Sequence, residues 1–161
     1  MKIKSSNLRP EWGVLAFCAW QSSNLVTGWR YSPFDRLEWL ALGIWMAPTL
    51  ASAAGFLPPG PAGKRGVYLS WLALAVCLSG ILTDMHFLKH GALALACAAV
   101  TAPFRFDIAW LALALAWMPA LGWIVRGVPA SGVVGIRLAL ASLAALIALA
   151  GVRSGFRRPQ P

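Results

Sequence analysis

The residues best suited to chemistry lie in one short run, Asp84-Met85-His86-Phe87-Leu88-Lys89-His90. His86 and His90 stand four apart, so a helix sets both on one face, the spacing of a two-histidine metal site. A third ligand would be needed, and Asp84 or Asp35 would supply it. The glutamate of a His-Glu-x-x-His motif is missing, and the plainer reading is a solvated loop with histidines at the level of lipid headgroups. Arg137 is the other informative group, because it lies inside an apolar run where a charge is costly unless paired or able to reach the interface. It sits roughly 9 Å from the start of that run at helical rise, close enough for a guanidinium to snorkel. The sharper alternative is an ion pair between Arg137 and Asp84. No nucleotide-binding loop, Ser/His/Asp arrangement or carboxylate pair within an apolar run is present, so no cofactor and no catalytic residue is expected.

The elements that must position these groups are hydrophobic helices. Of the 161 residues 59% are hydrophobic and 12% charged, against about 25% charged in ordinary soluble domains. A helix needs about 20 mostly apolar residues to cross the hydrocarbon core. Segments 38–57, 67–83, 108–125 and 131–152 fit that template, and 87–104 fits it with Lys89 and His90 near its start. The weakest segment is 12–29, since Gln21-Ser22-Ser23-Asn24 falls in its middle. The expected fold is an all-α, polytopic transmembrane helical bundle of about six spans, or five if 12–29 lies in the interface. A single domain covers residues 1–152, and 153–161 forms a basic, disordered tail.

Basic residues orient the bundle. With six spans, Lys2, Lys4, Arg9, Lys64, Arg65, Arg105, Arg153, Arg157 and Arg158 fall on one side, and Arg30, Arg36, Lys89 and Arg126 on the other. Cytoplasmic loops are enriched in Lys and Arg, so both termini are expected in the cytoplasm of a bacterial plasma (inner) membrane. If the first segment does not cross, the same residues divide almost evenly. The net charge of +9 is spread over short gaps between apolar runs, which argues for anionic lipid headgroups as partners and against nucleic acid. A cleaved leader is disfavoured, because Leu15-Ala16-Phe17-Cys18 puts a bulky ring where a lipoprotein cleavage box needs a small residue.

Cys18, Cys77 and Cys97 fall inside apolar runs without metal or disulfide spacing and are expected to pack as small apolar side chains. Trp12, Trp29, Trp39, Trp110 and Trp123 lie near span ends, as an interfacial belt would place them. Ala92, Ala96 and Ala99, and likewise Ser131 with Gly135, set small residues about one turn apart and predict close helix approach. Pro48 and Pro119 predict kinks. Trp-Leu-Ala-Leu begins at residues 39, 71 and 110 at unequal spacing, which reads as composition rather than repetition.

The order of several features resembles the N-terminal half of the exosortase and archaeosortase family, multi-spanning proteins thought to process C-terminal sorting signals by cysteine transpeptidase chemistry. The resemblance spans residues 12–150. It is carried by Tyr31-Ser32 after the first span, by Leu88-Lys89-His90-Gly91-Ala92-Leu93, and by Trp117-Met118-Pro119. Where that family shows Tyr-Ser-His-Gly, this chain has Tyr31-Ser32-Pro33-Phe34. The family's catalytic Cys, Arg and His of later spans have no counterpart, since no Cys follows Cys97 and no His follows His90. The resemblance therefore implies a noncatalytic accessory or scaffold subunit that pairs with another membrane protein. The alternatives are a divergent membrane protease or transpeptidase of that type, or a small transporter or channel.

Overall fold

A computed structural model of the chain describes residues 10–32, 37–54, 64–101, 107–125 and 127–156. The described residues are helical throughout, with no strand among them: α1 Pro10–Gln21, α2 Asn24–Tyr31, α3 Glu38–Ala53, α4 Lys64–Leu82, α5 His86–Thr101, α6 Asp107–Ala112, a 3₁₀ stretch Leu113–Trp117, α7 Ala120–Ile124 and α8 Ala130–Phe156. The all-α expectation holds. Two of these helices are long and apolar enough to cross a membrane, Lys64–Leu82 and Ala130–Ala150, and two shorter ones, His86–Val100 and Ile108–Trp117, are apolar. Two of the six expected spans are thus present at full crossing length among the described residues. The segments expected at 12–29 and 108–125 are each interrupted, and α8 continues to Phe156, four residues into the segment read as a tail.

The centre of the bundle is α5, which packs against α1, α3, α4 and α6. Its Ala92, Ala96 and Cys97 are fully buried, and the neighbouring alanines nearly so. Methyl-sized side chains on every face let several backbones approach one helix, which is how bundles gain dispersion contacts where lipid is as apolar as the core. α4 answers with Gly66, Ser70, Ala73, Cys77 and Gly80, all buried. Their alternating steps of four and three residues average 3.5, the spacing that keeps one seam of a helix facing its neighbour. The closest approach is at Gly80, where an added Cβ would stand 3.0 Å from Leu88 Cβ and 3.0 Å from the Lys89 backbone nitrogen. Gly80→Val therefore forces the α4–α5 hairpin apart, with an expected loss of about 1–3 kcal/mol in detergent melts. Ser79→Val, one position off the seam, is the control that should melt like the parent.

Ser131 and Gly135, expected to mediate close packing, are exposed. The buried stripe of α8 is Val133, Arg137, Ala141, Ala144 and Ala148, and it faces α3, whose own stripe is Glu38, Ala41, Trp45 and Thr49. The two prolines behave differently. α3 runs through Pro48 without a break, whereas the chain is interrupted at Pro119.

Candidate functional site: a buried ion pair at a broken helix

The site begins with Pro119. A proline pushes the residue before it toward extended backbone, and Met118 has φ −85 and ψ 139. That residue ends the 3₁₀ stretch, and because Pro119 has no N–H the Ala116 carbonyl is left without a backbone donor, in a part of the core where an unsatisfied carbonyl is expensive. Arg137, reaching across from α8, supplies the missing donor: its Nη1 donates to Ala116 O at 3.0 Å and also to Met118 O at 3.2 Å, a carbonyl that already accepts the Leu121 amide at 3.1 Å. The same Nη1 lies 2.7 Å from Glu38 Oε1, the first residue of α3. Pro119 breaks its helix where a guanidinium waits to receive the freed Ala116 carbonyl.

Both members of the pair are buried, Arg137 to 1% and Glu38 to 0% relative exposure. This decides between the two sequence readings of Arg137, since a snorkelling guanidinium would be exposed. It is paired, but with Glu38. Asp84 stands apart, its side chain 85% exposed and bound to Lys89 Nζ at 3.1 Å. The Arg137–Asp84 pair expected from the sequence is thus replaced by two separate pairs. The Lys89 hydrogen bond and charge, helped by His86, hold the Asp84 carboxyl below the usual carboxylate range. Whatever Asp84 adds to stability is present above the unfolded carboxylate pKa near 4 and fades only as pH falls below it.

Glu38 is the residue that the sequence reading passed over, because it stands at the first position of a span where carboxylates are ordinary. A signal was available. Of the five acidic residues, Glu38 starts the 38–41–45 spacing that defines the buried face of α3. The residue before it, Leu37, has φ 68, an uncommon conformation for a bulky side chain. Its carbonyl accepts the amides of Leu40 and Ala41 at 3.1 and 3.0 Å, so the strained residue starts α3 and delivers Glu38 inward.

Next to the ion pair lies a layer of indoles. Trp45 stacks on Trp110 with ring centroids 4.0 Å apart and planes 9° from parallel, and Trp117 tilts against Trp45 at 5.6 Å and 57°. Trp45 Nε1 donates to Trp110 O at 2.9 Å, and Trp110 Nε1 to Trp45 O at 3.3 Å. Trp110, expected as an interfacial anchor, is a core residue because its N–H and its carbonyl are both taken up by Trp45. Trp39 is exposed, and Trp12 and Trp29 are half-buried.

The histidine cluster is not assembled as a site. His86 is exposed, while His90 is buried and its Nε2 lies 3.4 Å from Asn24 Oδ1. Ser22 Oγ donates to Lys89 O at 3.1 Å. The polar run that makes 12–29 a weak span therefore docks it onto the start of α5, and α1 and α2 meet at Ser22–Ser23. Among the described residues no group of three His, Cys, Asp or Glu is placed to hold a metal ion; Asp35, the other candidate ligand, lies outside them, as do Pro33 and Phe34 of the family comparison. Cys18, Cys77 and Cys97 are fully buried on α1, α4 and α5. These are not the helices that carry Glu38 and Arg137. Compared with protein-family models, curated proteins and solved structures, the chain matches none.

Proposed function

We propose that this chain is a multi-pass membrane protein, with both termini cytoplasmic, that serves as a noncatalytic accessory or scaffold subunit for another membrane protein. The observation that carries the membrane part is the reversal of polarity between inside and outside. Glu38, His90 and Arg137 are buried while Trp20, Trp71, Leu82, Ile108, Ile124 and Leu146 are more than 60% exposed. Only 28% of each long apolar helix window is buried. A core helix of a soluble domain would be covered on most of its surface, whereas these present apolar sides that hydrocarbon covers without penalty. The accessory role rests on the described site, where the buried charge pair bonds to backbone and closes a break instead of facing a reacting group. The resemblance to half of an exosortase, without its Cys, Arg and His, points the same way.

Two measurements test the reading. Tags at residue 1 and residue 161 should both report the cytoplasmic side, and opposite sides would rule out the six-crossing topology. Purification in mild detergent should bring down a stoichiometric partner carrying the missing Cys, Arg and His. One observation favours a second reading, since a discontinuous helix with carbonyls turned to a charged group is also how transporters build their sites. Isolation as a lone oligomer with ion flux in vesicles would select that reading, and stoichiometric zinc lost in His86→Ala would select an enzyme.

A further inference from the structure

The first segment leans on α4 and α5, and between it and α3 it leaves an apolar cleft of about 390 Å³. Leu15, Ala19 and Val26 form one wall, Leu42 and Met46 of α3 the other, and Leu93 of α5 the floor. Trp12 and Trp29 stand among the lining residues near the two ends of the segment. A helix with its side chains is about 10–12 Å across, more than a cleft of this volume can enclose, whereas an extended hydrocarbon chain can lie along it between Trp12 and Trp29.

Charge sets the direction of that chain. Arg30, exposed, follows Trp29 at one end, and Glu11 precedes Trp12 at the other. A negative headgroup is attracted at the first and repelled at the second, and a Lys or Arg near the bilayer surface favours an anionic lipid by a factor of about five. We infer that this cleft is a binding site for one acyl chain of an anionic phospholipid, with the phosphate seated at Arg30 and Trp29. The inference rests on the membrane reading above.

The test uses the full chain, reconstituted with equal amounts of phosphatidylglycerol and phosphatidylcholine and then stripped with mild detergent, with bound lipid counted by native mass spectrometry. The parent should retain one phosphatidylglycerol per chain. Ala16 and Ala19 line the cleft and are exposed, so Ala16→Phe/Ala19→Phe fills it without repacking the core and should abolish retention while leaving the circular dichroism spectrum unchanged. Arg30→Gln should keep the lipid but lower the preference for phosphatidylglycerol about five-fold. Retention in the filled double variant, or an unchanged preference in Arg30→Gln, overturns the proposal. A chain that stays in solution without detergent overturns the membrane reading itself, whereas a detergent-dependent chain that retains no lipid overturns only the cleft.

Discussion

Glu38→Leu is expected to lower the stability of the detergent-solubilised protein by about 3–5 kcal/mol, and to reduce its steady-state level in cells accordingly, because it strands Arg137 as an uncompensated charge in a low-dielectric core. Arg137→Met should be nearly as severe, since it leaves a bare carboxylate and the Ala116 carbonyl, which has no backbone donor once Pro119 follows. The informative variant is the double one. Replacing a buried ion pair by apolar residues of similar size is often close to neutral, so Glu38→Leu/Arg137→Met should recover much of what either single change loses. It should not recover all, because the Ala116 carbonyl still lacks its donor. Thermal melts of the four proteins give the coupling energy directly. Asp84→Asn serves as the control, exposed and paired only with Lys89, and should melt like the parent. If Asp84→Asn proved as damaging as Glu38→Leu, or if the double variant were no better than the singles, the assignment of Arg137 to Glu38 would be wrong.

The second large effect is expected at Trp45. This side chain is fully buried and touches both other indoles of its layer, so Trp45→Ala should cost about 3–5 kcal/mol through the cavity it leaves. Trp45→Phe separates the contributions. It keeps an aromatic ring against Trp110 and loses the N–H that donates to Trp110 O, so its loss should be about 1–2 kcal/mol, the range for a buried acceptor left without its donor. Near-parallel indoles 4.0 Å apart couple electronically, and the resulting circular dichroism couplet should vanish in both Trp45→Phe and Trp110→Phe. Trp39→Phe, on the exposed side of α3, should leave the couplet and the melting temperature unchanged. A couplet that survives Trp110→Phe would overturn the stacked arrangement.

Much of the architecture was legible along the chain because it depends on short-range patterns. Apolar runs separated by Pro, Gly and charged residues placed the helices. Pro119 marked one interruption, since the constraint of a proline on its predecessor acts over a single peptide bond, and Gln21-Ser22-Ser23-Asn24 marked the other. Ala92, Ala96 and Ala99 announced a crowded helix by their size alone. The demand that Arg137 be paired or exposed also follows from its position in an apolar run, whatever the fold.

Only the tertiary structure chose among the answers that those patterns allow. Glu38 and Arg137 meet across 99 residues of chain, and nothing in the local surroundings of either residue ranks Glu38 above Asp84 as the partner. That choice depends on which faces of α3 and α8 pack together. Tertiary packing likewise draws Trp110 from an expected interfacial position into the core, and the packing of α1, α4 and α5 on one another buries one cysteine from each. The fold also keeps Pro48 inside a continuous helix while Pro119 ends one, because across from Pro119 a guanidinium stands ready to bind the Ala116 carbonyl set free. The sequence by itself determined where helices form and where they must break; the fold decided which polar group answers each break, since that depends on contacts in space that no local spacing encodes.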